Sequence, residues 1–122
     1  MARSGSSKLV WFICYDTLDP HCLDKGYIIF DCKYHVPLLK YCRTHNLQVV
    51  ADVHTHPGGW TEQSDMDKEN PMFSVKGYTE LIIPRYGYCS LFHAGGIGAF
   101  EYEGDNRWSA NKANEMITFT TI

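Results

Sequence analysis

Residues 51–70, ADVHTHPGGWTEQSDMDKEN, bring two imidazoles, a hydroxyl and a carboxylate into one short stretch. His54 and His56 stand two positions apart at the end of an apolar run. On an extended backbone, residues i and i+2 point to the same face, so both rings can offer a nitrogen to one ion at the ~2.0–2.1 Å that zinc requires. Asp67 can add a carboxylate oxygen. Two histidines and one carboxylate leave the fourth tetrahedral position for water, the arrangement of catalytic rather than structural zinc sites. Water held there can have its pKa lowered to about 7, and a general base then makes its attack on a polarised carbonyl efficient. Each piece alone has a plainer reading. His-x-His can be two strand histidines, and Ser64-x-x-Asp67 can be a helix cap in which the helix dipole favours the acid. Together, with Pro57 and paired glycines between them, the pieces are far more specific.

These side chains need a strand, a loop and a helix start to position them. Residues 47–53 (LQVVADV) predict a largely apolar strand that delivers the chain to His54. HPGGWTEQ has the proline and glycines of a loop, and Ser64 suits the N-cap of a short helix stopped before Pro71. Upstream, residues 8–15 (KLVWFICY) and 27–32 (YIIFDC) are rich in β-branched and aromatic side chains and predict two strands joined by the turn-rich TLDPHCLDKG. Val36, Leu39 and Cys42 recur at helical spacing, which predicts a helix over 33–46 with Pro37 in its first turn. Further strands are expected at 78–84, 88–93, 99–103 and 116–120, between Gly-rich or Asp/Asn-rich turns. Residues 1–7, small and polar, are expected to be a flexible leader. The order is mixed α and β, an α+β class without repeats or an internal boundary, and residues 8–122 form the expected domain.

At 122 residues, 44% of them hydrophobic, the chain can bury enough surface to fold without disulfide staples. Its five cysteines (Cys14, Cys22, Cys32, Cys42 and Cys89) form no CxxC pair, and reduced thiols are expected, with Cys14, Cys32 and Cys89 as small core residues. The net charge of -3 is spread without a Lys/Arg cluster, which argues against nucleic acid and anionic membrane surfaces as partners. No apolar run reaches the roughly 18–20 residues that span a bilayer, and the start lacks the core of a secretory signal, so a cytoplasmic protein is expected.

His54-Thr55-His56-Pro57, seven residues from His56 to Ser64, and then Ser64-Asp65-Met66-Asp67 match the signature HxHx7SxxD completely. On those residues the chain resembles the JAB/MPN family of JAMM metalloproteases. LIIPR at 81–85 and FEYEGDNRW at 100–108 look like prokaryotic JAB domains more weakly, and residues 8–108 fit the domain's order. The resemblance implies a small mixed α/β domain with a curved β-sheet flanked by helices. It implies a Zn²⁺ metallo-isopeptidase or protease that cleaves after the C-terminal glycine of ubiquitin or a ubiquitin-like modifier, with the modifier's tail held extended beside the zinc. By residue matching, His54, His56 and Asp67 become the zinc ligands and Ser64 the hydroxyl that supports the oxyanion.

Family members also use a glutamate upstream of His-x-His as general base. Here Glu62, Glu69, Glu80, Glu101, Glu103 and Glu115 all follow His56. Three explanations stay open: the chain lacks the N-terminal strand that would carry the glutamate, an aspartate such as Asp16 substitutes, or the domain binds zinc without hydrolysing anything. Asp16 is one methylene short, and a ~1 Å misplacement of a catalytic group can cost about 100-fold. Asp52 shares the strand face of His54 and could support its imidazole from behind, or be a solvated or capping acid. Trp60 could contact a substrate tail or anchor the loop. His21, His35, His45 and His93 have no spacing that ties them to the metal. Three functions follow from the resemblance: an isopeptidase acting on a ubiquitin-like modifier or its conjugate; a non-catalytic zinc-binding MPN-like scaffold; or a hydrolase acting on a ubiquitin-like sulfur-carrier protein adduct. An activating protein partner could supply the missing base.

Overall fold

The computed structural model describes residues 1–6, 8–88 and 96–118. It is a mixed α/β protein, as the element order predicts, and its contacts divide it into two compact units, Met1–Val50 and Ala51–Ile122. Among the described residues no helix is long and apolar enough to cross a membrane.

In the first unit, β1 (Ala2–Arg3) pairs antiparallel with β2 (Leu47–Gln48). Between them lie α1 (Tyr15–Leu18) and a 3-10 turn (Cys32–Tyr34) that leads into α2 (His35–Thr44). The helix expected over 33–46 is present, with Leu38 and Cys42 buried along it. Asn46 follows in the left-handed region, where a short polar side chain is tolerated. The strands expected at 8–15 and 27–32 are absent apart from a single bridge between Ala2 and Leu9. β-propensity is realised only when a partner completes the ladder, and Trp11 and Phe12 stay exposed. Ala2, placed by sequence in a flexible leader, is buried, and Met1 Sδ accepts a contact from the Cys42 thiol at 3.5 Å. Cys14 and Cys32, expected in a core, are exposed because their strands do not form, whereas Cys22 and Cys42 are buried; all four are free thiols.

The second unit is a four-stranded sheet in the order β3 (Ala51–Thr55), β4 (Thr79–Ile83), β5 (Gly98–Gly104), β6 (Arg107–Lys112), with α3 (Asp65–Glu69) and α4 (Ala113–Met116). β3 and β4 run parallel and the other pairs antiparallel. The strand expected over 47–53 is thus two pieces: Leu47 and Gln48 pair with β1, and the ladder restarts at Ala51. The strands at 78–84 and 99–103 fall where expected, whereas β6 has a mostly polar sequence, RWSANK, that gives little strand signal and forms by pairing with β5. Asp105 and Asn106 join β5 to β6 with φ of 54° and 55°, the two positive values of a type I′ hairpin loop. Met116, expected to start a strand, ends α4. The expected strand at 88–93, with Cys89 and His93, falls almost wholly outside the described residues, as does the end of the one at 116–120.

The two faces of this sheet differ in chemistry. Leu81, Ile97, Ala99 and Ala113 form an apolar core, with Ile83, Met116 and Ile117 packed against it. Paired residues share a face, so the other face carries Asp52 and His54 from β3, Glu80 and Ile82 from β4, and Phe100 and Gly98 from β5. In β3 the usual preference is inverted: His54 is mostly buried whereas Val53 is 46% exposed. An apolar side chain turned out and imidazoles turned in mark a face arranged for something other than packing.

Candidate metal centre

His54 leaves β3 on the polar face, and His56 follows two residues later, its N–H donating to the Ile83 carbonyl at 2.9 Å. That bond extends the β3–β4 pairing one step past the strand and holds the two rings on one side. The Arg85 N–H donates to Gly58 O at 2.8 Å and the Tyr86 N–H to His56 O at 2.9 Å, which ties the start of the loop to the exit of β4. Arg85 and Tyr86 both have φ of 53°, a costly conformation that places their N–H groups against the loop.

Asp67 arrives from α3. Ser64 is its N-cap as expected: the Asp67 N–H donates to Ser64 Oγ at 3.2 Å, and the Ser64 N–H and hydroxyl both donate to Asp67 Oδ2 at 2.7 Å. This capping box loads one carboxylate oxygen and turns the other, Oδ1, toward His54. The far end of the helix is held by the Trp108 indole N–H, which donates to Lys68 O at 3.2 Å.

The donor atoms meet closely. His54 Nε2 lies 3.2 Å from His56 Nε2 and 3.5 Å from Asp67 Oδ1, and His56 Nε2 lies 3.6 Å from Asp67 Oδ2. Ligands ~2.0–2.1 Å from a tetrahedral ion are ~3.3–3.4 Å apart, close to these separations, with the two carboxylate contacts ending on different oxygens of Asp67. The tautomer of His56 agrees. Its Nδ1 is 3.3 Å from the Trp60 carbonyl, which can only accept, so Nδ1 carries the proton and Nε2 presents a lone pair to the cluster. The Trp60 ring lies against the same imidazole, centroids 3.6 Å apart, so Trp60 anchors the loop while its indole stays 46% exposed.

Electrostatics favour a bound cation. Burial alone would raise the pKa of Asp67, but hydrogen bonds from His54 and Ser64 outweigh it and bring it to about 2, so the carboxylate is charged. Burial followed by repulsion from His54 lowers the pKa of His56 and keeps it neutral. Burial also disfavours charge on His54, yet Asp67, Glu80 and Asp52 together raise its pKa. With the His54 pKa raised, a proton and a metal ion compete for this cluster.

His54, His56 and Asp67, the three ligands expected from sequence, can therefore hold a metal ion together. Asp52, His54 and Glu80 form a second group whose ligand atoms also converge. It shares His54 with the first, and Glu80 Oε1 approaches the opposite ring nitrogen, Nδ1, at 3.6 Å. Asp52 lies on the face of His54 as the i, i+2 spacing requires. Asp16 is exposed in the first turn of α1, in the first unit.

Two buried residues that the sequence reading passed over stand behind the site. Glu80 is 4% exposed and Gln63 7%, and Gln63 Nε2 donates to Glu80 Oε2. Burial followed by repulsion from Asp52 outweighs the Gln63 hydrogen bond and raises the Glu80 pKa to about 7. A signal was available: TELII is an apolar strand with one carboxylate inside it, and a buried acid needs partners. Its partners became visible only when β4 paired in register with β3. No family model matches the chain.

Proposed function

We propose that the second unit is a zinc centre of JAB/MPN type, and that the protein hydrolyses the bond after the C-terminal glycine of a ubiquitin-like modifier. The observation that carries this reading is the convergence of His54 Nε2, His56 Nε2 and the two Asp67 carboxylate oxygens, with separations of 3.2, 3.5 and 3.6 Å. When bound there, zinc supplies a Lewis acid for a carbonyl and lowers the pKa of a water. The chain's own residues do the positioning. Trp60 O and the Ser64 capping box hold His56 and Asp67 with their donor atoms inward. Trp60 offers an exposed aromatic edge beside the site for an extended tail. Ser64 has a single hydroxyl proton, directed at Asp67 Oδ2. To support an oxyanion the hydroxyl must turn away, leaving Asp67 held by the Ser64 N–H.

A second reading, a metal-binding scaffold without hydrolysis, is favoured by one observation. The glutamate at the cluster, Glu80, faces Nδ1 of His54, and a carboxylate behind the ring is badly placed to serve as base on the Nε2 side. Elemental mass spectrometry of the purified chain, beside Asp67→Asn and His54→Ala, tests the centre: about one zinc in the parent and loss in both variants is expected. Cleavage of a modifier fusion, abolished by chelation and by Asp67→Asn, separates the hydrolase from the scaffold; zinc and modifier binding without cleavage would establish the scaffold.

A further inference from the structure

We propose that Glu80, held by Gln63, is the positioning residue that fixes the orientation and tautomer of His54 for the metal. This rests on the metal reading of His54, His56 and Asp67 and deepens it.

An imidazole binds a metal well when its other nitrogen donates to an acceptor, because that acceptor fixes the ring and the proton and makes the ligating nitrogen more basic. His56 has such an acceptor in the Trp60 carbonyl. For His54, Glu80 Oε1 stands 3.6 Å from Nδ1, and both side chains are almost wholly buried. The second oxygen of Glu80 accepts from Gln63 Nε2, so Oε1 is the oxygen left to face the ring. Gln63 directly precedes Ser64, the cap that aligns Asp67. The loop between the ligands thus steers the carboxylate behind one histidine and the hydroxyl beside the aspartate.

The register explains why the acid comes from this position. Glu80 pairs with Asp52, on the same sheet face as His54 and two residues before it. Parallel pairing therefore sets Glu80 beside and behind the ring, while Nε2 is directed at His56 and Asp67. Asp52 lies in the same group, and the alternative arrangement is a second ion site formed by Asp52, Glu80 and His54. A second ion would need Nδ1 as its ligand, whereas the positioning role needs a proton there. The two are experimentally exclusive.

Zinc affinity, measured by competition with a chromophoric chelator, is compared in the parent, Glu80→Gln and Glu80→Leu, together with the tautomer of His54 from ¹⁵N–¹H correlations in the loaded protein. The expected result is one zinc per chain, Nδ1–H on His54 in the parent, and affinity about 10–100-fold weaker in Glu80→Leu. Glu80→Gln, which keeps an acceptor, is expected to retain the tautomer and lose less. If Glu80→Leu does not fold, the comparison moves to Gln63→Leu, which frees Glu80 and is expected to broaden the His54 signals and weaken zinc binding several-fold. Equal affinity and unchanged His54 signals in the folded variants would overturn the role of Glu80 while leaving the metal centre intact. Two zinc ions per parent chain, the second lost with Glu80, would make Glu80 a ligand and overturn it as well. A parent that binds no zinc overturns the metal reading itself, and this inference with it.

Discussion

At the scale of single residues, Asp67 and Ser64 serve two ends with the same atoms. The capping box that starts α3 also loads Oδ2 of Asp67, so a local helix signal also aligns a carboxylate of the candidate centre. Ser64→Ala is therefore expected to cost about 1 kcal/mol of stability through the lost cap, read by urea denaturation, and to weaken metal binding because the carboxylate is freer to turn. The titrating groups set the pH response of the metal-free protein. Glu80, raised to about 7, holds a proton in the folded state that the unfolded chain releases near 4.5. The native state then binds more protons across that window, and stability falls as pH rises from about 4.5 through 7. His54, with its pKa raised, acts in the same direction, and His56, with its pKa lowered, in the opposite one. Asp67, lowered to about 2, contributes stability that is present above its ordinary 3.8 and lost as pH falls toward 2. Thermal melts of the chelated protein are expected to show a maximum near pH 4–5.

At the scale of elements, the site depends on a loop lying close over the sheet. A Cβ on Gly98 of β5 would collide with the Thr61 carbonyl, in the loop between His56 and Ser64. Only hydrogen fits there, and the obstacle is backbone rather than a flexible side chain. Gly98→Ala is expected to destabilise the protein by about 1–3 kcal/mol or more and to weaken metal binding, since the loop must lift away from β5 and take Gln63 and Trp60 with it. Equilibrium denaturation with a parallel zinc titration checks both. The Trp108 indole N–H on the Lys68 carbonyl is the corresponding tie for α3. Trp108→Phe keeps an aromatic ring against Tyr102 but leaves that carbonyl to solvent, at an expected cost of about 1 kcal/mol.

At the scale of the whole molecule, every member of the candidate centre belongs to the unit Ala51–Ile122. A metal that binds the native state alone stabilises it by mass action, about 2.7 kcal/mol at a free concentration of 100 Kd. Zinc is expected to raise the melting temperature and to slow amide exchange around 54–56, 64–67 and 80. Because an ion must displace the proton at the cluster, this gain grows as pH rises from 5 to 8, opposite to the slope of the chelated protein; parallel melts with and without zinc check the crossing. The amino-acid sequence by itself singled out the three residues that can hold an ion together, because His54-x-His56 on a strand end and Ser64-x-x-Asp67 at a helix start are local patterns whose geometry follows from backbone period and capping. It also determined α2, α3, β4 and most of β5, where periodicity or composition is strong over a short span. Only the tertiary structure decided that residues 8–15 and 27–32 are not strands, that 47–53 divides into two, and that the polar RWSANK is one, because a strand is a property of a pair. The same holds for Glu80 and Gln63: their place behind His54 comes from parallel register between β3 and β4 and from the path of the loop, and neither is encoded in the spacing of neighbouring residues.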